Sequence, residues 1–275
     1  QIHIHPLCVP KVYEYNRIQG SVRIRPANEG GIFADYAGIL ERLREQPSSF
    51  GHRSVFVNSP LQEETYKQLL GLADWLVILD QNLNGNKGTY SHDLFTMVSS
   101  NYLRVTHFTP FFLYLAYTIP HANNELGAKT GNGMEVPSDA PYTKEDWPQA
   151  EKNKAAMITR LDRDVGALLR QLTKLGVESN TVVFFTSDNG PHKEGGTKPA
   201  FFQSSGPLRG IKRDLYEGGI RVPMIARWPG RIKPGTVSDQ VWAFWDFLPT
   251  AAALAGAKLP EKTDGISMLP TLLGK

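Results

Sequence analysis

Between Ala150 and Gly176, apolar residues recur at three-to-four spacing, with Met157, Leu161, Val165, Leu168 and Leu172 in the series. That period draws one apolar stripe along a helix of about seven turns, and Gly176 is a ready stop for it. On either side stands an apolar run, "PFFLYLAYTI" before the helix and "NTVVFFTSDNG" after it. Each suits a central strand buried on both faces. Strand, loop, helix and strand in that order predict a βαβ unit, whose ligands gather at the carboxyl ends of the strands. His121 follows the first run and Asp188-Asn189 end the second, so both fall at such an edge.

The flanking text is consistent with an α/β protein. "YSHDLFTMVSSNYLRV" has a helical period, "VPMIARWPG" reads as a strand with a turn, and "WAFWDFLPTAAALAGA" as a turn into a helix closed by Gly256. A loop rich in polar residues, glycine and proline, "LGAKTGNGMEVPSDAPYTKED", is expected after residue 125. Residues 1–75 give short strands at "SVRIR" and "SVFV" and a helical period in "FADYAGILERLREQ". "EETYKQLLGLADWLVIL" then reads as a helix passing into a strand. No chemistry attaches to residues 1–75, which stand apart from residues 76–275 as an unassigned N-terminal segment.

Charge and cysteine usage exclude several classes. Thirty Lys and Arg against 27 Asp and Glu leave a net charge of +3, and the basic residues are scattered, which argues against nucleic acid as a partner. The single cysteine, Cys8, makes no internal disulfide. No stretch approaches the roughly 18 apolar residues of a membrane span. The N-terminal residues show no apolar core of a signal peptide and no initiator Met, so a processed product or a fragment is expected.

Four positions could carry chemistry, each with an ordinary alternative. Asp188 and Asn189 offer adjacent hard oxygens of the kind Ca²⁺ or Mg²⁺ prefers, or they simply end a strand. His121 is a candidate general acid or ligand, or a polar loop residue. Lys212, between Gly210 and the Gly218-Gly219 pair, is a fixed cation for an anionic oxygen, or a solvated lysine. The glycine doublet in "EGGIR" is expected to form a turn, with Glu217 and Arg221 paired across it. "GIKRDLYEGG" lacks the ending of a phosphate-cradling P-loop.

Taken together and in order, these segments resemble the type I sulfatases, the arylsulfatase-like branch of the alkaline phosphatase superfamily. The resemblance rests on "YSHDLF", "PFFLYLAYTIPHANNE", "LDRDVGALLRQLTKLGVESNTVVFFTSDNGPHKEGG", "GPLRGIKRDLYEGGIRVPMIARWPGRIKPG" and "WDFLPTAAALAGAKLP", roughly residues 76 to 274. It implies an alkaline-phosphatase-like α/β sandwich, a mixed central sheet flanked by helices, incomplete at its N-terminus. It implies hydrolysis of sulfate esters on small molecules or carbohydrates, and a secreted, periplasmic or lysosomal setting. Carried over by position, Asp188 and Asn189 match a pair of Ca²⁺ ligands, His121 the histidine that contacts the sulfate ester, and Lys212 the lysine that binds a sulfate oxygen. His192 and Lys193 are further substrate contacts.

The family's nucleophile is a formylglycine, made from Cys or Ser in a C-x-P-x-R type motif. Here "LCVPKV" offers Cys8 and Pro10, but Val12 stands where the family has Arg, so the nucleophile is unassigned and a cysteine without special role fits Cys8 better. The family's first pair of metal carboxylates and its Lys-x-His pair are not found, and Asp80 falls in the wrong order to replace them. Three explanations follow: part of an active sulfatase or a faulty gene model of one, a non-catalytic binding or scaffold relative, or a related phosphate or phosphonate hydrolase. The extent of the match favours the first.

Overall fold

The computed structural model describes residues 87–259 and 262–275, together with the backbone of three strands farther toward the N-terminus. The chain divides into two compact units, Gln1–Gln171 with Lys193–Phe201 and Leu172–His192 with Phe202–Lys275. Cys8, Asp80 and the helices expected before residue 75 lie outside the described residues.

In the first unit, β1 (Val22–Pro26), β2 (Ser54–Val57) and β3 (Trp75–Leu79) form a mixed sheet of order β1-β3-β2. β1 runs antiparallel to β3, with Ile24 opposite Val77, and β2 runs parallel to it, with Phe56 opposite Val77. These are the three short strands that alternation and β-branched content pick out in the sequence.

Two long helices follow. α1 (Ser91–Thr106) buries Leu94, Phe95, Val98, Tyr102 and Leu103 on one face. The long periodic segment forms the helix Gln149–Lys174, and Gly176 ends it in the left-handed region at φ 72°. A core of Ile119, Ala122, Met134, Ala150 and Met157 packs under Tyr90, Val136 and Leu161.

Polar pairs fix the register of α1 against the long helix. Arg160 grips the Asp93 carboxylate with two bonds of 2.7 and 2.5 Å, and Ser100 and Gln171 exchange bonds of 2.5 and 2.6 Å. Between them sits a buried pair, His92 Nε2 at 3.0 Å from Asp164 Oδ2, with Thr96 donating to the same oxygen and the Tyr117 ring centred 4.4 Å from the imidazole and tilted 40° to it. A groove of about 290 Å³ opens between the two helices. Its Asp93, Thr96, Ser100, Arg163, Asp164 and Gln171 are already paired, so it reads as a packing seam rather than a ligand site.

Two expectations fail here. "PFFLYLAYTI" forms no ladder with any described residue, although Phe111–Leu115 alternate between half-buried and exposed as a strand would. Apolar content makes a segment extended and buried, but a strand exists only where a second backbone supplies hydrogen bonds. The βαβ unit is therefore not seen among the described residues. The supposed loop after residue 125 begins instead as a helix, α2 (Asn124–Thr130), so the long helix is α3. The Asn123 side chain accepts from the Leu126 N–H at 3.0 Å and Gly131, at φ 77°, closes the other end. A cap and a left-handed glycine outweigh a polar composition.

In the second unit, β4 (Val183–Thr186) pairs antiparallel with β5 (Met224–Arg227), Thr186 opposite Met224. "EGGI" forms one turn of helix, α4 (Glu217–Ile220), where a plain turn is expected; Glu217 and Arg221 do pair, at 3.3 Å. The glycines are needed there for space, since a Cβ on Gly218 would lie 2.1 Å from the Gly210 carbonyl oxygen. α5 (Phe247–Ala255) ends at Gly256, as its sequence announces, and α6 (Leu269–Leu272) follows. Buried Asp246 accepts from the Ala243 and Ile266 N–H groups at 2.8 and 2.9 Å, fixing the start of α5 to the later chain.

The buried His92 makes stability depend on pH. A carboxylate only accepts, so Nε2 carries the proton and Nδ1, which has no hydrogen-bond partner, is a buried lone pair. Burial holds the imidazole below the usual histidine range, only partly offset by the Asp164 charge. Stability from neutral His92 is thus present above about pH 6.5 and is lost as pH falls through the lowered folded value. The urea midpoint of the wild type should fall between pH 7 and pH 5, and a His92→Gln variant should show a flatter slope over that window.

Candidate active site

β4 delivers Thr186 and then a turn in which chain direction changes over Ser187–Pro191. The Thr186 hydroxyl donates to the Pro223 carbonyl at 2.9 Å and the Ser187 hydroxyl to the Asn189 carbonyl at 3.1 Å. Asp188 is exposed, and no described residue bonds to or pairs with its carboxylate. The Asn189 amide nitrogen donates to the Gly190 carbonyl at 2.9 Å, which leaves Oδ1 without a donor among the described residues. Two hard oxygens are therefore open at the end of β4.

The same turn is bound to the Lys212 loop. Gly190 N–H donates to the Gly219 carbonyl at 2.9 Å, and Lys212 N–H donates to the Pro191 carbonyl at 2.9 Å. Gly218 N–H in turn reaches the Arg209 carbonyl at 2.7 Å, and the Asp214 carboxylate accepts the Ile211 N–H at 2.9 Å. These bonds shape the loop around Lys212, which is half-buried. The structure thus brings the metal-type pair and the lysine into one neighbourhood of the second unit. His192 is buried there, at 8% exposure, next to the turn.

His121 and Lys193 belong to the first unit. His121 follows a turn in which its N–H donates to the Thr118 carbonyl at 2.9 Å. Its Nδ1 lies 2.8 Å from the Ala122 carbonyl, which can only accept, so Nδ1 carries a proton and the outward nitrogen is Nε2. Nε2 lies 3.8 Å from a carboxylate oxygen of Glu194, a residue the sequence reading passes over. Lys193 is exposed. The available signal for Glu194 was its place before the Gly195-Gly196 doublet; both glycines take positive φ, at 63° and 85°.

The comparisons with known proteins bear on what this geometry serves. The model of the family described as Sulfatase matches residues 35–257. The chain belongs to the sulfatase family. It is 36% identical to rat steryl-sulfatase over 184 residues, 64% of this chain and 29% of that protein. It is 46% identical to bovine arylsulfatase A over 118 residues, 42% of this chain and 22% of that one. Among solved structures it resembles Ps i-CgsB in complex with k-i-k-neocarrahexaose, at 30% identity and a TM-score of 0.58, covering 77% of this chain and 46% of that one. The chain thus spans less than a third of these curated sulfatases. The fold is the alkaline-phosphatase-like fold of sulfatases, present in part.

Asp188 and Asn189 have the donor chemistry of a hard-cation site. The open oxygens of both fit such a cation in kind. Among the described residues no group of three or more His, Cys, Asp or Glu side chains could hold a metal, so this pair supplies only two of the six to eight oxygens such an ion takes.

The backbone stitching predicts a sharp steric penalty at Gly190. A Cβ there would lie 1.9 Å from the Gly218 carbonyl oxygen. Gly190→Ala should lower stability by about 1–3 kcal/mol in chemical denaturation, whereas Gly230→Ala, with open space around its Cβ but φ 79°, should cost about 1 kcal/mol.

Proposed function

We propose that this chain carries part of a calcium-assisted site for the hydrolysis of sulfate esters. The chief support is the pair of main-chain bonds that tie the end of β4 to the Lys212 loop, Gly190 to Gly219 and Pro191 to Lys212. They hold two residues with open hard oxygens and the loop of a lysine in one neighbourhood, which is what an anionic ester and its counter-ion require.

As an S–O bond breaks, negative charge gathers on the leaving oxygen and on the sulfuryl oxygens. Fixed cations and donors aimed at those atoms lower the barrier. Lys212 supports a sulfuryl oxygen. His121, with Nδ1–H held by Ala122, presents Nε2 to the ester, and in its protonated form Nε2 gives its proton to the leaving oxygen. Asp188 and Asn189 would hold Ca²⁺, which supplies Lewis-acid stabilisation of the same charge. His192 and Lys193 are proposed as further substrate contacts. The nucleophile of the family is formylglycine, and Cys8 is the residue here with part of its motif.

The substrate is proposed to be a sulfated carbohydrate or a sulfated small molecule; the neocarrahexaose bound to the solved relative favours a carbohydrate. A second reading is binding without turnover.

Turnover of an aryl sulfate with added Ca²⁺, mass spectrometry of the Cys8 peptide and calorimetric binding of inorganic sulfate separate these readings. Hydrolysis should be lost in Asp188→Ala and fall about 100-fold in Lys212→Ala and in His121→Ala. Sulfate binding that depends on Lys212, with no turnover, would establish the binding protein instead. Absence of both would overturn the proposal.

A further inference from the structure

The loop that carries Lys212 carries a second cation to which the chemistry above gives no task. The Arg209 guanidinium lies over the Tyr216 ring, its central carbon 3.8 Å from the ring centroid, and both residues are exposed. Among the described residues no acid pairs with that guanidinium and no carbonyl accepts from it. The acids of its own loop are engaged elsewhere, Glu217 with Arg221 at 3.3 Å and Asp214 with the Ile211 N–H at 2.9 Å.

The backbone is shaped to hold this stack. Gly210 stands at φ 95°, in the left-handed region, and a Cβ on it would lie 2.9 Å from the Tyr216 Cβ. The Gly210 carbonyl accepts the Ser205 hydroxyl at 2.9 Å, and the Arg209 carbonyl accepts the Gly218 N–H at 2.7 Å. The chain at Arg209 is therefore bonded to the segment that brings Tyr216 back over it.

A stacked guanidinium has lost much of its freedom before any ligand arrives, while the N–H groups in its plane still point away from the ring that restrains it. Those N–H groups form a planar fork that matches two oxygens of a sulfate or a carboxylate. An arginine that serves only packing gives such donors to protein acceptors, and here no described residue takes them. Lys212 is three residues farther along, so the two Cα atoms are at most about 11 Å apart. A short oligosaccharide spans that separation.

We propose that Arg209 is a specificity-determining residue that binds a second anionic group, a sulfate or a carboxylate, on the sulfated carbohydrate. This deepens the reading of Lys212 as the lysine at a sulfuryl oxygen and rests on it. The substrate class narrows accordingly to sugars with two anionic groups, one held at Lys212 and the other at the Arg209 fork.

Calorimetric titration of the full chain, with Ca²⁺ present, compares three probes: a hexosamine with one sulfate, the same hexosamine with two, and a monosulfated disaccharide that includes a uronate. The wild type should prefer one of the two dianionic sugars over the monosulfated one, and which of them it prefers identifies the second group as sulfate or carboxylate. In Arg209→Gln that preference, the ratio of the two Kd values, should fall about 10-fold. Arg209→Lys keeps the charge without the fork and should retain only part of it. A merely structural arginine would weaken both sugars alike and leave the ratio unmoved; that result, or a wild type with no preference or no binding, would overturn the proposal. In Lys212→Ala both sugars should bind more weakly with the preference kept. A preference that depends on Arg209 in a chain that hydrolyses no aryl sulfate would uphold the anion site and remove only the hydrolytic reading. Should Arg209→Gln fail to fold, Tyr216→Leu, which takes away the ring under the guanidinium, should lower the same ratio, and an unchanged ratio there counts decisively against Arg209.

Discussion

Main chain lying directly against main chain holds the loops that bear this protein's charged groups. At Gly190 and Gly218 in one unit, and at Gly133 and Gly196 in the other, an added Cβ would sit 1.9 to 2.2 Å from a carbonyl oxygen of another segment. Such approaches let peptide N–H groups and carbonyls of two loops bond to each other without intervening side chains. The result is a rigid edge built from residues that look like punctuation in the sequence. Asp188, Asn189 and Lys212 owe their placement to it in the second unit, as Glu194 does in the first.

Charge in the seam between the two long helices is paired. The α1–α3 seam sets Asp93 against Arg160 and Asp164 against both His92 and Arg163. Burial works against the Asp164 carboxylate, but the contacts with Arg163 and His92 together outweigh it and hold it below the ordinary range. Burial also pushes the Tyr117 phenol up to about 12, so its hydroxyl stays a neutral partner of Thr96. These groups are committed to packing two helices, which separates them from His121, half exposed, and from Asp188, exposed.

Much of the architecture was legible where periodicity and stop signals agreed. The helices at Ser91–Thr106, Gln149–Lys174 and Phe247–Ala255 and the five strands among the described residues stand where period and composition put them. The errors share a cause. "PFFLYLAYTI" has the composition of a strand without a pairing backbone among the described residues, Asn124–Thr130 has the composition of a loop with the caps of a helix, and "EGGI" is helical because its glycines are needed for contact. Composition reports what a segment tolerates, whereas hydrogen bonding to distant residues decides what it becomes.

The sequence alone determined the sulfatase kinship, the periodic helices, and which side chains have the chemistry of an anion and cation site: His121, Asp188, Asn189 and Lys212. It did so because those properties reside in residue types and their order. Only the tertiary structure decided that the Asp188 turn is bonded to the Lys212 loop, that the His121 proton sits on Nδ1, and that Glu194 stands beside Nε2. These are contacts between segments tens of residues apart, made possible where glycines admit a second backbone, and no local pattern of residues encodes which backbone that will be.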